Sequence, residues 1–203
     1  LEAAAPVSLS SFLRPGLAPL YAAALCFGAV NGAYLAYAAM RVAAAGGFPG
    51  LADEAAAAII YLIYGVCGLI GLATGWIEAR IGLSALLAFI FSAFAASLIL
   101  LALVPGAWPA VALSAGLHGA AVMMISATLS FWSLRLFPGA GSAGFTAALM
   151  AVAAGSMAGP AAAGLMVDIY GTAMPLLWIS AAPVVLAVCF AAARAAKALR
   201  PAP

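Results

Sequence analysis

The sequence predicts an all-α membrane protein that crosses the bilayer six times. Of its 203 residues, 68% are hydrophobic and 6% are charged, whereas about 25% of the residues of a soluble domain are charged. Most charged residues lie between six apolar segments, and each segment exceeds the roughly 20 residues with which a helix crosses the hydrocarbon core. A β-barrel is excluded because its strands are shorter and alternate in polarity.

The predicted spans form one membrane domain with a short segment at each end. They cover residues 17–41, 55–77, 83–104, 108–134, 142–166 and 173–193. We interpret residues 1–16 as the end of a cytoplasmic linker, because they lack the features of a signal peptide. Residues 17–193 then form the six-helix transmembrane bundle, and residues 194–203 form a cytoplasmic tail.

Basic residues predict the orientation of the chain, because Lys and Arg accumulate in short cytoplasmic loops. Counting spans places nearly all of them on one side: Arg14, Arg80, Arg135, Arg194, Lys197 and Arg200. Arg41 lies on the other side, with Asp53, Glu54 and Asp168. We therefore expect a multi-pass protein of the plasma membrane, specifically a bacterial inner membrane, with both termini in the cytoplasm.

The first span carries a polar and aromatic strip. Asn31, Tyr34, Tyr37 and Arg41 follow one another at intervals of three, three and four residues, which places them along one side of a helix. Such side chains are costly in lipid and should face protein or water. They are interpreted either as substrate contacts or as structural residues, with Asn31 bonding a neighbouring helix and Tyr37 and Arg41 anchoring the span.

The second span has a glycine-lined face, and a short charged loop follows it. The glycines predict close helix packing; they are Gly65, Gly68, Gly71 and Gly75. The loop runs from Gly75 to Gly82 and contains Glu78 and Arg80. We expect this pair to cap helix ends and to contact a neighbouring helix in one of two conformations, as a gate. The alternative is a solvated turn with interfacial charges.

The fourth span contains the chain's one histidine, His118. An imidazole titrates near pH 6.5, so His118 is either a proton carrier or a neutral, hydrogen-bonded core residue. Ser126 lies further along, on a common face with Ser130 and Ser133. We interpret Ser126 as a substrate contact, with a hydrogen bond to its own preceding turn as the alternative. By contrast, the third and sixth spans are almost uniformly apolar and should face lipid.

The fifth span combines glycines with a proline. Gly155, Gly159 and Gly164 surround Pro160, which predicts a hinge or a tight helix crossing, with Gly159 at a close contact. Thr146 is a further candidate for substrate contact. Asp168 follows the predicted end of the span.

No metal, cofactor or enzymatic activity is expected. Met123 lies five residues from His118, and side chains at that spacing do not stack on a helix. The three cysteines lie in three different spans without ligand spacing. The sequence also has no P-loop and no nucleophile elbow, and nothing in it indicates a nucleic-acid partner.

The loop from Gly75 to Gly82 and the fifth-span residues from Gly155 to Asp168 together resemble the carboxy-terminal half of a major facilitator superfamily transporter. The family loop reads G-x-x-x-D-R-x-G; here Ala79 stands at the Asp position and Glu78 lies one place earlier. The resemblance implies helices seven to twelve of a twelve-helix bundle, an amino-terminal half upstream, and alternating access. In the family's other half, a related Gly-x-x-x-Gly-Pro pattern is associated with antiporters; here the pattern lies in the fifth span, where it gives some support for export.

The resemblance also implies which spans line a substrate cavity: the first and fourth at the centre, with the second and fifth beside them. We therefore expect Asn31 and Tyr34 to project into an aqueous cavity with His118 nearby, and a small solute to bind there. The alternative is a membrane scaffold or pigment-delivery factor of similar fold that transports nothing. A water-filled cavity favours transport, whereas a dry interior with polar groups bonded from helix to helix favours the scaffold.

Overall fold

The computed structural model describes residue 12, residues 14–48 and residues 50–198 of the chain. Seven α-helices are found in this part. They are α1 (Ala18–Ala44), α2 (Asp53–Gly68), α3 (Thr74–Ile81), α4 (Leu83–Leu103), α5 (Trp108–Leu136), α6 (Gly141–Tyr170) and α7 (Ala173–Ala198). A 3₁₀ turn, Pro15–Leu17, precedes α1. A second 3₁₀ turn, Leu69–Ala73, joins α2 to α3, so that the chain stays helical from Asp53 to Ile81.

Six of the described helical segments are long and apolar enough to cross a membrane, because α2, its 3₁₀ turn and α3 act as one span. The predicted all-α, multi-pass architecture is therefore confirmed. We number the spans one to six in chain order: α1, α2–α3, α4, α5, α6 and α7. Each predicted span lies within one of these segments to within a few residues.

The helices extend further than the apolar segments that predicted them. Asp168 lies inside α6 and is exposed, not beyond the end of its span. Arg194 and Lys197 lie inside α7, so the predicted tail begins as helix. Arg200 and the rest of residues 199–203 lie outside the described residues, as do residues 1–11 and 13 of the predicted linker.

The spans are arranged as two sets of three that pack in equivalent ways. α1, the first span, packs along α6, the fifth, and α5, the fourth span, packs along α2, in the second. The first span of each set thus meets the second span of the other set. The third spans of the two sets, α4 and α7, pack against one another. The pairing of helices is therefore the same from either set.

Glycines allow close backbone contact in both of the equivalent helix pairs. Between α1 and α6, a Cβ at Gly155 would overlap the carbonyl oxygen of Leu25, and one at Gly159 that of Ala29. Between α2 and α5, a Cβ at Gly119 would overlap the carbonyl oxygen of Tyr64. Small residues let helix backbones approach in this way. The close contact expected at Gly159 is therefore observed.

Glycines of the second and fifth spans pack within the described bundle. Gly68 and Gly71 of the second span pack on Met123 of α5, and Gly155 and Gly159 of the fifth span pack on α1. Gly65 is exposed, and a Cβ there would meet no atom within 4 Å.

The two ends of the bundle differ in charge among the described residues. The rings of Phe12 and Phe137 lie 5.4 Å apart between centroids and are tilted by 31°, so the start of α1 and the end of α5 share one end of the bundle. That end carries five basic residues and one acidic residue: Arg14, Arg80, Arg135, Arg194, Lys197 and Glu78. The opposite end carries one basic and three acidic residues: Arg41, Asp53, Glu54 and Asp168.

Candidate functional site

A polar cluster lies inside the bundle where α1, α4 and α5 meet. Tyr34 of α1, Ser97 of α4, and Ser114 and His118 of α5 are each 0% exposed. The Tyr34 hydroxyl lies 3.2 Å from Ser114 Oγ, and Ser97 Oγ lies 2.7 Å from His118 Nδ1. The cluster ties three spans together at a depth where unpaired polar groups would be costly.

The direction of each hydrogen bond follows from the number of protons on the two serines. Ser114 donates to the Ser97 carbonyl at 2.7 Å, so it accepts from the Tyr34 hydroxyl. Ser97 donates to the Phe94 carbonyl at 2.8 Å, so it accepts from His118 Nδ1. His118 therefore carries its proton on Nδ1, and its Nε2 is an acceptor with no partner among the described residues.

Aromatic rings hold the imidazole of His118 in place. The ring of Tyr34 stacks on it at 3.8 Å between centroids and 17° between planes. Phe94 of α4 meets it edge-on at 5.0 Å, and Tyr64 of α2 lies 6.0 Å away. These contacts fix the orientation of the imidazole, which leaves little freedom for it to swing between partners.

Asn31 lies at the margin of this cluster and is partly exposed. Its side-chain oxygen accepts a hydrogen bond from the Tyr64 hydroxyl at 3.0 Å. A second tyrosine of α2, Tyr61, donates to the carbonyl oxygen of Leu35 at 2.8 Å. The expected bond from Asn31 to a neighbouring helix is therefore observed, while its amide nitrogen has no protein partner among the described residues.

Tyr34 and His118 do not line an aqueous cavity in the described bundle, contrary to expectation. Both side chains are completely buried, and the Tyr34 hydroxyl and His118 Nδ1 bond to neighbouring helices. The physical reason is that Ser114 and Ser97 offer these two atoms partners inside the bundle, so neither needs water.

Tyr37, Pro160 and Gly164 form one contact between α1 and α6. The Tyr37 hydroxyl donates to the Pro160 carbonyl at 3.1 Å, and a Cβ at Gly164 would lie 3.0 Å from that hydroxyl. Pro160 lacks an N–H, so the Ser156 carbonyl loses its usual helical donor. That carbonyl lies against Gly32, where a Cβ would come within 2.8 Å of it. These residues therefore act in helix packing.

Ser126 and Thr146 lie on the surface of the described bundle. Ser126 donates to the Val122 carbonyl at 2.7 Å, and Thr146 donates to the Ser142 carbonyl at 3.0 Å. Both hydroxyls thus bond their own helix, as the alternative interpretation of Ser126 expected. Their exposure leaves them available to a partner or to water.

An ion pair joins the second and fourth spans at the basic end. Arg135 donates to the two carboxylate oxygens of Glu78 at 2.6 and 2.9 Å. Glu78 is 13% exposed and Arg135 is 55% exposed. Arg80 does not share this pair, since its guanidinium lies 4.0 Å above the ring of Trp76. The expected contact of Glu78 with a neighbouring helix is observed.

Gly75 and Gly82 flank Glu78 along the chain. Gly75 leaves room for the ring of Phe131, whose nearest atom would lie 3.8 Å from a Cβ there. Gly82 has a φ of 81°, a value that favours glycine, and it separates α3 from α4. Asp168 forms no ion pair among the described residues.

Sequence reasoning missed Tyr64 and Ser97. Tyr64 lies in the glycine-rich second span, and Ser97 lies in an apolar span that was expected to face lipid. The signal available was that each is a polar group deep within a span, where it needs a partner. Among the described residues, no group of three His, Cys, Asp or Glu side chains could hold a metal ion.

The sequence matches no protein-family model and no curated protein. The resemblance to the major facilitator superfamily therefore stays a prediction.

Proposed function

We propose that this chain is one half of a secondary transporter of the major facilitator type, which moves a small solute by alternating access. The observation that carries the proposal is the equivalent packing of spans one to three and spans four to six. Because each set crosses the membrane three times, its successor begins on the opposite side, so the two sets form an inverted repeat. Inverted repeats are the usual construction of secondary transporters, with the substrate bound where the repeats meet.

The hydrogen bond between Tyr64 and Asn31 supports a solute site on the surface that α1 and α2 share. Both side chains are partly exposed, and the amide nitrogen of Asn31 is free to donate to a ligand. Tyr34 and His118 lie behind them, where they position the ring of Tyr64 rather than touch a solute. A second half packed against this surface would enclose the site.

The Glu78–Arg135 pair supports a conformational gate at the basic end. It joins α3 to the end of α5 through two charge-assisted hydrogen bonds, and bidentate pairs of this kind have a defined geometry. A pair that breaks when the spans separate would favour one state of a two-state equilibrium. By the charge difference between the ends, we place this end in the cytoplasm.

A second candidate function is a membrane scaffold that transports nothing. The observation in its favour is that Tyr34 and His118 are completely buried, with the Tyr34 hydroxyl and His118 Nδ1 bonded to neighbouring helices. In this case the polar cluster would only fix the relative positions of three spans.

Flux through proteoliposomes separates the two functions. Full-length protein would be reconstituted and tested with labelled sugars, amino acids, organic acids and organic cations, under an imposed proton gradient. If the protein is a transporter, at least one solute should accumulate in the vesicles. Asn31→Ala should lower that accumulation at least tenfold. The control Ser92→Ala, on an exposed part of α4, should leave it unchanged. Flux equal to that of empty vesicles for every solute would favour the scaffold.

A further inference from the structure

A cavity of about 440 Å³ opens at the basic end of the bundle, between the start of α4 and the end of α7. Residues 81–85 line one side, and Arg194 and Lys197 line the other. The cavity thus lies where two neighbouring spans reach the end of their apolar segments.

The cavity has positive charge that the described protein does not neutralise. Arg194 and Lys197 are three residues apart, so they project from the same side of α7, and both are exposed. Neither forms a salt bridge with a described residue. Glu78, the acidic side chain described at this end, is already bonded twice by Arg135.

The first turn of α4 adds hydrogen-bond donors on the opposite wall. The N–H of Leu86 bonds to the Gly82 carbonyl, but the N–H groups of Leu83, Ser84 and Ala85 precede the first such bond and have no intrahelical acceptor. No side chain caps this helix start. These amides and the Ser84 hydroxyl belong to residues on the α4 side of the cavity, and together with the two cations they match an anionic, oxygen-rich group.

An exposed apolar side chain continues from the cavity toward the centre of the membrane. Phe89 of α4 is 57% exposed and lies four residues beyond Ala85 of the cavity lining, or roughly 6 Å along the helix. An amphiphile therefore fits this surface, with its anionic group in the cavity and an acyl chain over Phe89.

We propose that this cavity binds the phosphate of an anionic phospholipid, held by Arg194, Lys197 and the first turn of α4. Basic pockets between membrane helices are the usual sites of such headgroups. The site is separate from the polar cluster, so the proposal is independent of whether the chain transports a solute.

Lipid titration of the full chain in detergent, followed by native mass spectrometry, tests the proposal. The probes are phosphatidylglycerol and phosphatidylcholine with identical acyl chains. Wild-type protein should bind phosphatidylglycerol about tenfold more tightly than phosphatidylcholine, and Arg194→Gln with Lys197→Gln should lower the phosphatidylglycerol affinity by on the order of tenfold. The matched control, Arg14→Gln with Arg80→Gln, removes the same charge from the same end but outside the cavity, and should change it less than threefold.

Ser84→Glu gives a second variant, which keeps both cations but places a carboxylate in the cavity and should cause the same loss. Helical circular dichroism of every variant should match wild type. An equal loss in the control pair, no preference over phosphatidylcholine, or full affinity in Ser84→Glu would each overturn the proposal. Displacement of the lipid by millimolar inorganic phosphate would also overturn it, because the site would then be one for a soluble anion.

Discussion

The contact between α1 and α6 leaves no room for a methyl group at Gly159. A Cβ there would overlap the Ala29 carbonyl oxygen and lie 2.6 Å from the Ala29 Cα. Carbon atoms in ordinary contact are at least about 3.5 Å apart, so Gly159→Ala should push the helices apart by roughly 1 Å. Both obstacles are backbone atoms, and no change of rotamer removes them.

Overpacking of this kind costs about 1–3 kcal/mol, and we expect Gly159→Ala to lower the free energy of unfolding by that amount. Gly65→Ala is the matched control, because a Cβ at Gly65 meets no atom within 4 Å. Its higher helix propensity should leave stability unchanged or raise it by up to about 1 kcal/mol. The assay is unfolding in mixed micelles of mild detergent and sodium dodecyl sulfate, followed by circular dichroism. Equal stability of the two variants would refute backbone contact between α1 and α6.

Two further predictions concern the buried cluster and the orientation. Ser97→Ala leaves His118 Nδ1 without its acceptor, which should lower the free energy of unfolding by about 1–3 kcal/mol in the same assay. Tyr34→Phe removes a donor whose partner, Ser114, stays bonded elsewhere, so it should lower the free energy of unfolding by less than about 1 kcal/mol. The reverse order of the two losses would contradict the assigned bond directions. In a cysteine-free background, an impermeant thiol reagent added outside cells should label Gly106→Cys and not Gly139→Cys. Labelling of Gly139→Cys alone would reverse the proposed orientation.

The number and class of the helices could be predicted from sequence because a long apolar segment has one stable arrangement in a bilayer. Helix ends were less predictable. An apolar segment ends where the charged residues begin, but the backbone hydrogen bonds of the helix continue past that point. Asp168 and Arg194 therefore lie within helices.

Partners across helices were the least predictable feature. Tyr34 and Tyr37 lie on one strip of α1, yet Tyr34 bonds α5 and Tyr37 bonds α6. Periodicity identifies the side of a helix on which a residue lies, but the residue opposite it depends on how the helices cross. For the same reason, Ser97 gave no sign in the sequence that it would accept a hydrogen bond from His118.

Aqueous access to Ser126 tests the central claim, that this bundle is half of a transporter with a water-filled path against its second half. Ser126 and Ser92 are both exposed, and each donates to the carbonyl four residues earlier in its own helix, so the two positions differ mainly in the direction they face. In full-length, cysteine-free protein in native membranes, a small hydrophilic methanethiosulfonate should react with Ser126→Cys at least tenfold faster than with Ser92→Cys. Equally slow reaction at both positions would contradict the account, because both residues would then face lipid.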